Sequence, residues 1–174
     1  MTGGRPPGAR SYFLAGLMQG GRTGDELADQ SYRERLRTLI LAHHPDATVH
    51  DPIVLMRQWL GADEDVIRKA HAALADTPEV HRDRLAPELL PLIETFHRLT
   101  FLAADSDVCV AWLPGHEPSM GTAAEMLTAH RAGTTVVAIT PMRQNLAVLA
   151  CSSVVLPDLA SFERWLVADE DGAP

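Results

Sequence analysis

Glu125 stands in a setting that suits a nucleophilic carboxylate. It follows the segment Ser119-Met120-Gly121-Thr122, which separates an apolar run ending at Trp112 from a helical stretch. Gly121 permits a ligand to approach the backbone closely, and the residues at the helix start offer free amide hydrogens. The helix dipole favours a carboxylate in the first turn as the anion, and such an anion can attack a sugar carbon. The alternative interpretation is that Glu125 is an ordinary glutamate of the first helical turn, with no role in chemistry.

Other polar side chains near predicted strand ends suit the binding of a sugar or a phosphate. The Ser119 and Thr122 hydroxyls can bond to either group, although turn and cap chemistry is equally typical of these residues. Arg22 and Arg143 follow strand-end loops, where a guanidinium either pairs with a phosphate or stays a solvated surface charge. Asp107 precedes an apolar run and is either an acceptor at the sheet edge or a loop-to-strand residue.

Motifs for metals and dinucleotides are not supported by the spacing of the residues. The segment from His43 to Asp51 is rich in histidine, but its spacing matches no zinc pattern. Gly16, Gly20 and Gly21 do not form a dinucleotide-binding fingerprint, and the chain has no P-loop motif. We therefore predict neither a metal nor a cofactor.

Composition restricts the class of protein. The chain has 174 residues, of which 46% are hydrophobic, enough for one domain with a core. Its net charge of -8 argues against nucleic-acid polymers as partners, and no apolar run is long enough to span a membrane. Cys109 and Cys151 lie in apolar surroundings, which is typical of buried thiols in a reduced, cytoplasmic protein. Residues 1–10 and 169–174 are predicted to be flexible tails.

Short apolar runs alternate with amphipathic stretches along residues 11–168, which we predict to form a single domain. The predicted strands are Tyr12–Ala15 with Gly16 at its end, Ala47–His50, Val108–Trp112, Val136–Ile139 and Ser153–Leu156. The predicted helices begin at Thr23 (with Glu26 completing a capping box), Glu88, the Gly121 region, Gln144 and Asp158. This alternation predicts a doubly wound α/β fold, with a flavodoxin-like parallel sheet of about five strands flanked by helices.

Residues 51–87 interrupt the alternation. This segment is polar and proline-punctuated, with a predicted short helix from Asp63 to Leu74. It is too long for an ordinary connection between elements of one domain. We therefore interpret it as either a lid or a packing insertion.

Two stretches together resemble the nucleoside 2-deoxyribosyltransferase superfamily, which includes the nucleoside-monophosphate N-glycosidases. The first comprises residues 12–16 (Tyr-Phe-Leu-Ala-Gly) and 20–22 (Gly-Gly-Arg). The second comprises residues 107–111 (Asp-Val-Cys-Val-Ala) and 118–125 (Pro-Ser-Met-Gly-Thr-Ala-Ala-Glu). The Gly-Thr-x-x-Glu turn also resembles that of the cytokinin-type phosphoribohydrolases.

The resemblance implies roles for individual residues. The glutamate that matches Glu125 attacks the anomeric carbon, the base leaves, and water or a second base resolves the glycosyl-enzyme. Ser119 stands where the transferases carry an aspartate and resembles the serine that helps the monophosphate hydrolases bind the 5′-phosphate. Asn145 matches a side chain that reaches into a neighbour's sugar pocket, which implies at least a homodimer with a shared active site. The implied substrate-binding residues are Phe13, Gly16, Gly20, Arg22, Asp107, Ser119, Gly121, Thr122 and Asn145.

Two features depart from the superfamily pattern. Phe13 takes the place of the usual tyrosine, and Tyr12, one residue earlier, is expected to point to the other face of its strand. Leu99 stands where the superfamily often carries an acid. Protonation of the leaving base therefore has no matching residue, and the substitutes to consider are His97, His116 and Glu117.

The sequence predicts an enzyme that cleaves or transfers at the N-glycosidic bond of a nucleoside or nucleoside 5′-monophosphate, with Glu125 as the nucleophile. A catalytically inactive nucleotide-binding or sensor module is the alternative. A third possibility is an enzyme for a modified sugar or a secondary metabolite, with residues 51–87 reshaping its pocket.

Overall fold

The computed structural model describes residues 9–20, 22 and 27–170 of the chain. Its sheet is parallel throughout, with the spatial order β2-β1-β3-β4-β5. The strands are β1 (Ser11–Gly16), β2 (Thr48–His50), β3 (Val108–Trp112), β4 (Thr135–Ile139) and β5 (Val154–Leu156). This order is the flavodoxin-like one, so the predicted doubly wound sheet of about five strands is confirmed.

Helices cover both faces of the sheet. They are α1 (Ser31–His43), α2 (Pro52–Leu60), α3 (Glu64–Ala72), α4 (Leu90–Asp105), α5 (Met120–Ala132), α6 (Leu146–Cys151) and α7 (Leu159–Glu170). The central strands are buried on both faces, which explains why they read as continuous apolar runs. None of the helices in the described ranges combines the length and the apolar character needed to cross a membrane.

Side chains alternate along β1 between two hydrophobic cores. Tyr12 and Leu14 pack in one core with side chains of α1 and α7, such as Leu36 and Phe162. Phe13 packs in the other core with side chains of α4, α5 and α6. The prediction that Tyr12 and Phe13 face opposite sides of the sheet is therefore confirmed.

The first helix begins later in the chain than predicted. Gly21, Thr23 and Glu26 lie outside the described residues, and Leu27 is outside any helix. Instead, the Ala28 amide donates to the Met18 carbonyl at 2.7 Å, and the Gln30 side-chain amide donates to the Leu17 carbonyl at 3.0 Å. These bonds join the segment before α1 to the loop after β1.

The insertion folds into two α-helices and several short 3₁₀-helices rather than the single helix predicted. The Asp51 carboxylate accepts a hydrogen bond from the Ile53 amide at 2.9 Å and caps α2, with Pro52 in its first turn. The predicted helix from Asp63 to Leu74 matches α3 (Glu64–Ala72), and α2 packs against α4. The insertion thus forms a wall beside the sheet's carboxyl edge.

At the ends of the domain the ordered structure extends past the predicted boundaries. Ala9 is buried, and Arg10 forms an ion pair with Asp169. Helix α7 continues to Glu170, two residues beyond the predicted end of the domain at 168. The remainder of both predicted tails, residues 1–8 and 171–174, lies outside the described part of the chain.

Candidate active site

A cavity lies beyond the carboxyl ends of β1 and β3, where the chain leaves the two adjacent strands toward opposite faces of the sheet. Such a topological switch point is where open α/β sheets bind ligands. The cavity, called the main cavity below, has a volume of about 640 Å³. Its polar lining comes from Gln19, Thr95, Glu117, Ser119, Thr122 and Glu125. Its other lining residues include Gly16, Gly20, Gly121, Met18, Met56, Leu92, Phe96 and Leu99.

Glu125 lines the main cavity and is buried, with 7% of its surface exposed. Helix α5 begins at Met120, so Glu125 lies beyond the first turn, which contains no acidic residue. Burial raises the pKa of Glu125 to about 8, and the positive charge of Arg33 opposes that rise. The prediction that the helix dipole holds this carboxylate as the anion is therefore wrong, because the dipole fades past the first turn and desolvation outweighs it.

Arg33 is the buried cation that acts on Glu125. Its Nη1 donates to the Leu14 carbonyl at 2.7 Å, and its Nε donates to Gln30 Oε1 at 2.9 Å. Asp51 Oδ1 lies 3.6 Å from Nη1. The buried Nη2 atom has no hydrogen-bond partner among the described residues. A buried guanidinium with one group unsatisfied provides a positive potential that favours an anion nearby.

Tyr32 brings a phenol to the end of β1 from helix α1. Its hydroxyl donates to the Leu17 carbonyl at 3.3 Å, and its ring stacks on Trp112 with centroids 5.8 Å apart. A Cβ atom at Gly16 would lie 2.4 Å from the Tyr32 hydroxyl, so glycine is needed for this close approach. Burial raises the pKa of Tyr32, and the negative charge of Glu125 raises it further.

The start of α5 is capped from within the chain. The Ser119 hydroxyl accepts hydrogen bonds from the Thr122 amide at 3.3 Å and from the Thr122 hydroxyl at 2.9 Å. Both residues line the main cavity, as the sequence predicts. The hydrogen bonds between Ser119 and Thr122 are nevertheless those of a helix N-cap, which the sequence indicates as the alternative to ligand binding.

Arg22 joins the two loops that border the main cavity. Its Nη1 donates to Glu117 Oε1 at 2.7 Å and to the Gln19 carbonyl at 3.2 Å. Gly20 adopts a positive φ of 60°, and a Cβ atom there would lie 2.1 Å from Glu117 Oε1. The Arg22 guanidinium thus binds the Glu117 carboxylate of the protein itself. The sequence alone suggests a phosphate as its partner.

Three further predicted binding residues do not line the cavity in this chain. Phe13 is fully buried in the core. Asp107 precedes β3 and therefore lies at the amino ends of the strands, on the side of the sheet opposite the cavity. There its carboxylate accepts hydrogen bonds from the Ser11 amide at 2.7 Å and from the Ser11 hydroxyl at 2.8 Å. Asn145 Oδ1 accepts from the Ala147 and Val148 amides and caps α6. Asp107 is thus a structural link between β1 and β3 and does not contact the site.

Of the three substitutes for the missing acid, Glu117 lines the main cavity, whereas His97 and His116 are exposed and do not. Leu99, at the position where the resemblance led us to expect an acid, lies in the cavity wall. Within the described ranges, no three histidine, cysteine, aspartate or glutamate side chains come together in a metal-binding arrangement. Cys109 and Cys151 are buried, unpaired thiols.

Some residues of the site were not predicted from the sequence. Arg33 and Tyr32 come from α1 and interact electrostatically with Glu125 without lining the cavity, whereas Met56 comes from the insertion and lines it. Arg33 is spaced with Leu36 and Ile40 on the buried side of its helix, and a charge at such a position signals a buried contact. No local pattern marks Met56, which reaches the cavity only because α2 packs there.

The topology and the placement of the cavity define a doubly wound α/β protein with a flavodoxin-like strand order and a cavity at its switch point. No protein-family model and no curated protein matches the chain. Solved structures do match it. A 2-deoxyribosyltransferase from Bacillus psychrosaccharolyticus aligns with a TM-score of 0.54 and 14% identity over 92% of this chain and 95% of that chain.

A conserved protein from Enterococcus faecalis V583 aligns with a TM-score of 0.56 and 15% identity, over 92% of this chain and 99% of that chain. A CMP N-glycosidase from Clostridium botulinum aligns with a TM-score of 0.41 and 12% identity, over 91% of this chain and 98% of that chain. The first two alignments extend over nearly the whole chain and confirm the fold that the sequence resemblance implied.

Proposed function

We propose that this chain cleaves or transfers the N-glycosidic bond of a nucleoside, with Glu125 as the nucleophile. The observation that carries the proposal is the buried carboxyl group of Glu125, which lines a cavity at the β1/β3 switch point. The fold shared with a 2-deoxyribosyltransferase supports the same reaction class. The cavity, at about 640 Å³, is within the range of small-molecule sites.

In the proposed reaction, a Glu125 carboxylate oxygen attacks the anomeric carbon while the bond from that carbon to the base breaks. The base leaves with the bonding electrons and takes up one proton from solvent water, because Glu117, the other acidic side chain that lines the described cavity, is ion-paired with Arg22. Water or a second base then attacks the anomeric carbon of the glycosyl-enzyme, gives up a proton and releases the Glu125 carboxylate.

Glu125 must be ionised to act as this nucleophile. Its pKa of about 8 leaves the carboxyl group mostly protonated near neutral pH, and Arg33 provides the opposing positive charge. A sugar that develops positive charge at the anomeric carbon adds a second cationic partner and stabilises the anion further. We therefore expect kcat/KM to rise with pH up to about 8, where free enzyme loses this proton.

The lining of the cavity favours a nucleoside over its 5′-monophosphate. No lysine, arginine or histidine lines the cavity in the part of the chain that the structure describes, whereas Glu117 and Glu125 both do. Arg22 is engaged by Glu117, and the Ser119 hydroxyl is engaged by Thr122. A phosphate placed here would meet the Glu117 carboxylate, and the Thr122 amide and hydroxyl already donate to Ser119.

The test is incubation of the protein with a panel of nucleosides and their 5′-monophosphates, with free base followed by chromatography. We expect base release from nucleosides by wild type, and a loss of at least about a thousandfold in Glu125→Gln, as for removal of an essential nucleophile. Glu94→Gln, an exposed glutamate on α4, is the matched control. Equal release by wild type and Glu125→Gln, or no release at all, contradicts the proposal.

A glycosyl-enzyme can be sought directly. A 2-deoxy-2-fluoro nucleoside slows both steps of such reactions, because fluorine destabilises the oxocarbenium-like transition states, and the glycosyl-enzyme accumulates when it forms faster than it breaks down. Intact-protein mass spectrometry should then detect wild type with one added sugar, and Glu125→Gln without it. An adduct on both proteins would place the attacking group elsewhere.

The second candidate is a module that binds nucleosides without turning them over. It is favoured by the raised pKa of Glu125 and by Phe13 in place of a tyrosine. Thermal stabilisation by nucleosides, with no base released between pH 6 and pH 9, would establish binding alone.

A homodimer with a shared site is also part of the proposal, with Asn145 at the partner's cavity. In a single chain Asn145 is exposed at the start of α6, and the neighbouring Leu146 is 79% exposed. Light scattering coupled to gel filtration measures the oligomeric state, and a monomer at assay concentration would contradict this part.

A further inference from the structure

Helix α4 contributes one face to the lining of the main cavity, and a single residue of that face is polar. The face has the helical spacing i, i+3, i+4, i+7 and consists of Leu92, Thr95, Phe96 and Leu99. Thr95 is only 3% exposed. A hydroxyl buried on an otherwise apolar face costs free energy unless it has a hydrogen-bond partner. The Thr95 hydroxyl therefore needs a partner, either in the fold or in a ligand.

The fold supplies no such partner within the ranges that the structure describes. The Thr95 hydroxyl forms no hydrogen bond with residues 9–20, 22 or 27–170. A threonine inside a helix can satisfy its hydroxyl by donating to a carbonyl of the preceding turn. Thr100, on the same helix, does so, with 2.8 Å between its hydroxyl and the His97 carbonyl. Because Thr95 lacks this bond, its hydroxyl is left to whatever occupies the cavity.

Most of the other polar side chains around the cavity are already engaged. Four of them interact with other residues of the chain: Gln19, Glu117, Ser119 and Thr122. The Glu125 carboxyl group, like the Thr95 hydroxyl, has no hydrogen-bond partner in the described part of the chain. Their helices, α4 and α5, pack against each other. The proposed nucleophile and the Thr95 hydroxyl are thus the two groups of this lining that await a ligand.

We infer that the Thr95 hydroxyl is a specificity-determining contact, which binds a hydrogen-bonding group of the nucleoside and selects against analogues that lack this group. This inference rests on the proposed function. A hydroxyl both donates and accepts, so a sugar hydroxyl and a polar atom of the base offer it the same chemistry. A site rejects an analogue that lacks such a group because its own buried polar group is then left unpaired.

The same geometry has a consequence for the ligand-free protein. Thr95→Val replaces the hydroxyl by a methyl group of similar size and keeps the branched Cβ, so helix propensity hardly changes. We expect the variant to unfold at a Tm about 2–4 °C above that of the wild type, because an unpaired buried hydroxyl is removed. Thr100→Val, which removes a hydroxyl that has a partner and does not line the cavity, is the matched control and should not raise the Tm.

The experiment measures Kd by titration calorimetry for the wild type, Thr95→Val, Thr95→Ser and Thr100→Val. The reference ligand is whichever of adenosine, guanosine, cytidine and uridine binds the wild type most tightly. One arm uses its 2′-deoxy, 3′-deoxy and 5′-deoxy forms, and the other uses analogues whose base lacks one exocyclic amino group or oxygen. The two arms distinguish the sugar from the base as the source of the bonding group.

The expected result is a pattern over variants and ligands. Thr95→Val should raise the Kd of the reference nucleoside about tenfold, as for the loss of one hydrogen bond in a buried site. Thr95→Ser, which keeps a hydroxyl, should stay within about threefold of the wild type, and Thr100→Val should equal it. For the one analogue that lacks the bonding group, the wild-type Kd should already be raised, and Thr95→Val should raise it no further.

The outcomes separate this inference from the proposed function. A raised Tm together with the expected pattern of Kd values supports Thr95 as the contact. An equal Kd of the reference nucleoside for wild type and Thr95→Val overturns the inference and leaves the proposed function standing. A Kd raised by the same factor for every analogue, or a lower Tm of ligand-free Thr95→Val, also overturns it, because the hydroxyl would then act within the fold. No binding or cleavage of any nucleoside by the wild type overturns the proposed function and this inference with it.

Discussion

Replacement of Glu125 by glutamine should stabilise the protein increasingly as the pH rises. In the folded chain, burial raises the pKa of Glu125 from its ordinary value of 4.5 to about 8. Between these two values the unfolded chain releases the proton while the folded chain keeps it. The wild type therefore has its full stability from this group below about pH 4.5 and loses it progressively up to about pH 8.

The magnitude follows from the difference between the folded and unfolded pKa values of Glu125. A tenfold change in proton affinity corresponds to about 1.4 kcal/mol, so the whole interval from 4.5 to about 8 corresponds to about 5 kcal/mol. Glutamine has nearly the shape of a protonated glutamate and does not titrate. We expect Glu125→Gln to equal wild type in stability near pH 4.5 and to exceed it by several kcal/mol at pH 8.

Urea denaturation between pH 4.5 and pH 9 measures this difference. In thermal unfolding the same difference corresponds to an increase in Tm of about 10 °C or more for a chain of this size. Glu94→Gln, on the exposed surface of α4, should follow the wild type at every pH. A constant difference between Glu125→Gln and wild type across the range would refute the reasoning, because it would mean that Glu125 titrates normally in the fold.

The remaining predictions concern the residues around the site. Gly16→Ala should cost about 1–3 kcal/mol in urea unfolding, because its Cβ would lie 2.4 Å from the Tyr32 hydroxyl; Tyr32→Phe should recover part of that loss. Arg33→Gln should destabilise the fold by about 2 kcal/mol and, by removing the cation, move the pH dependence assigned to Glu125 to higher pH. Asp107→Asn should cost about 1–2 kcal/mol in urea unfolding with unchanged base release, because its bonds lie at the edge of the sheet opposite the cavity.

The sequence predicted the strands well because the central ones are buried on both faces. β3 and β4 are short runs of apolar residues that no helix period explains, and both appear near the predicted positions. The sequence predicts a start for the first helix at Thr23, because Thr23 and Glu26 match a capping box. Helix α1 instead begins at Ser31, where no side chain caps it, so the sequence carries no signal for that start. Helix α2 was missed, although an aspartate followed by proline is a common helix start.

The site was predictable where its residues are local in sequence. The segment from Ser119 to Glu125 lines the cavity because a loop after a parallel strand and the following helix must meet there. Arg33, Tyr32 and Met56 reach the same region from separate helices, so only the packing of the sheet reveals them. Asp107 shows the converse: it precedes β3, so strand direction alone places it at the amino ends of the strands, opposite the main cavity.

The candidate phosphate contacts show why residue type alone does not determine the substrate. Arg22 and Ser119 have the donors that a phosphate needs; Ser119 lines the cavity and Arg22 lies beside it. The Arg22 guanidinium, however, already meets Glu117 at 2.7 Å, and the Ser119 hydroxyl already accepts from Thr122. A phosphate would have to compete with the Glu117 carboxylate for the Arg22 guanidinium, whereas an uncharged nucleoside brings no charge that competes for it. The ion pair between Arg22 and Glu117 is therefore the reason that we propose an uncharged nucleoside as the substrate.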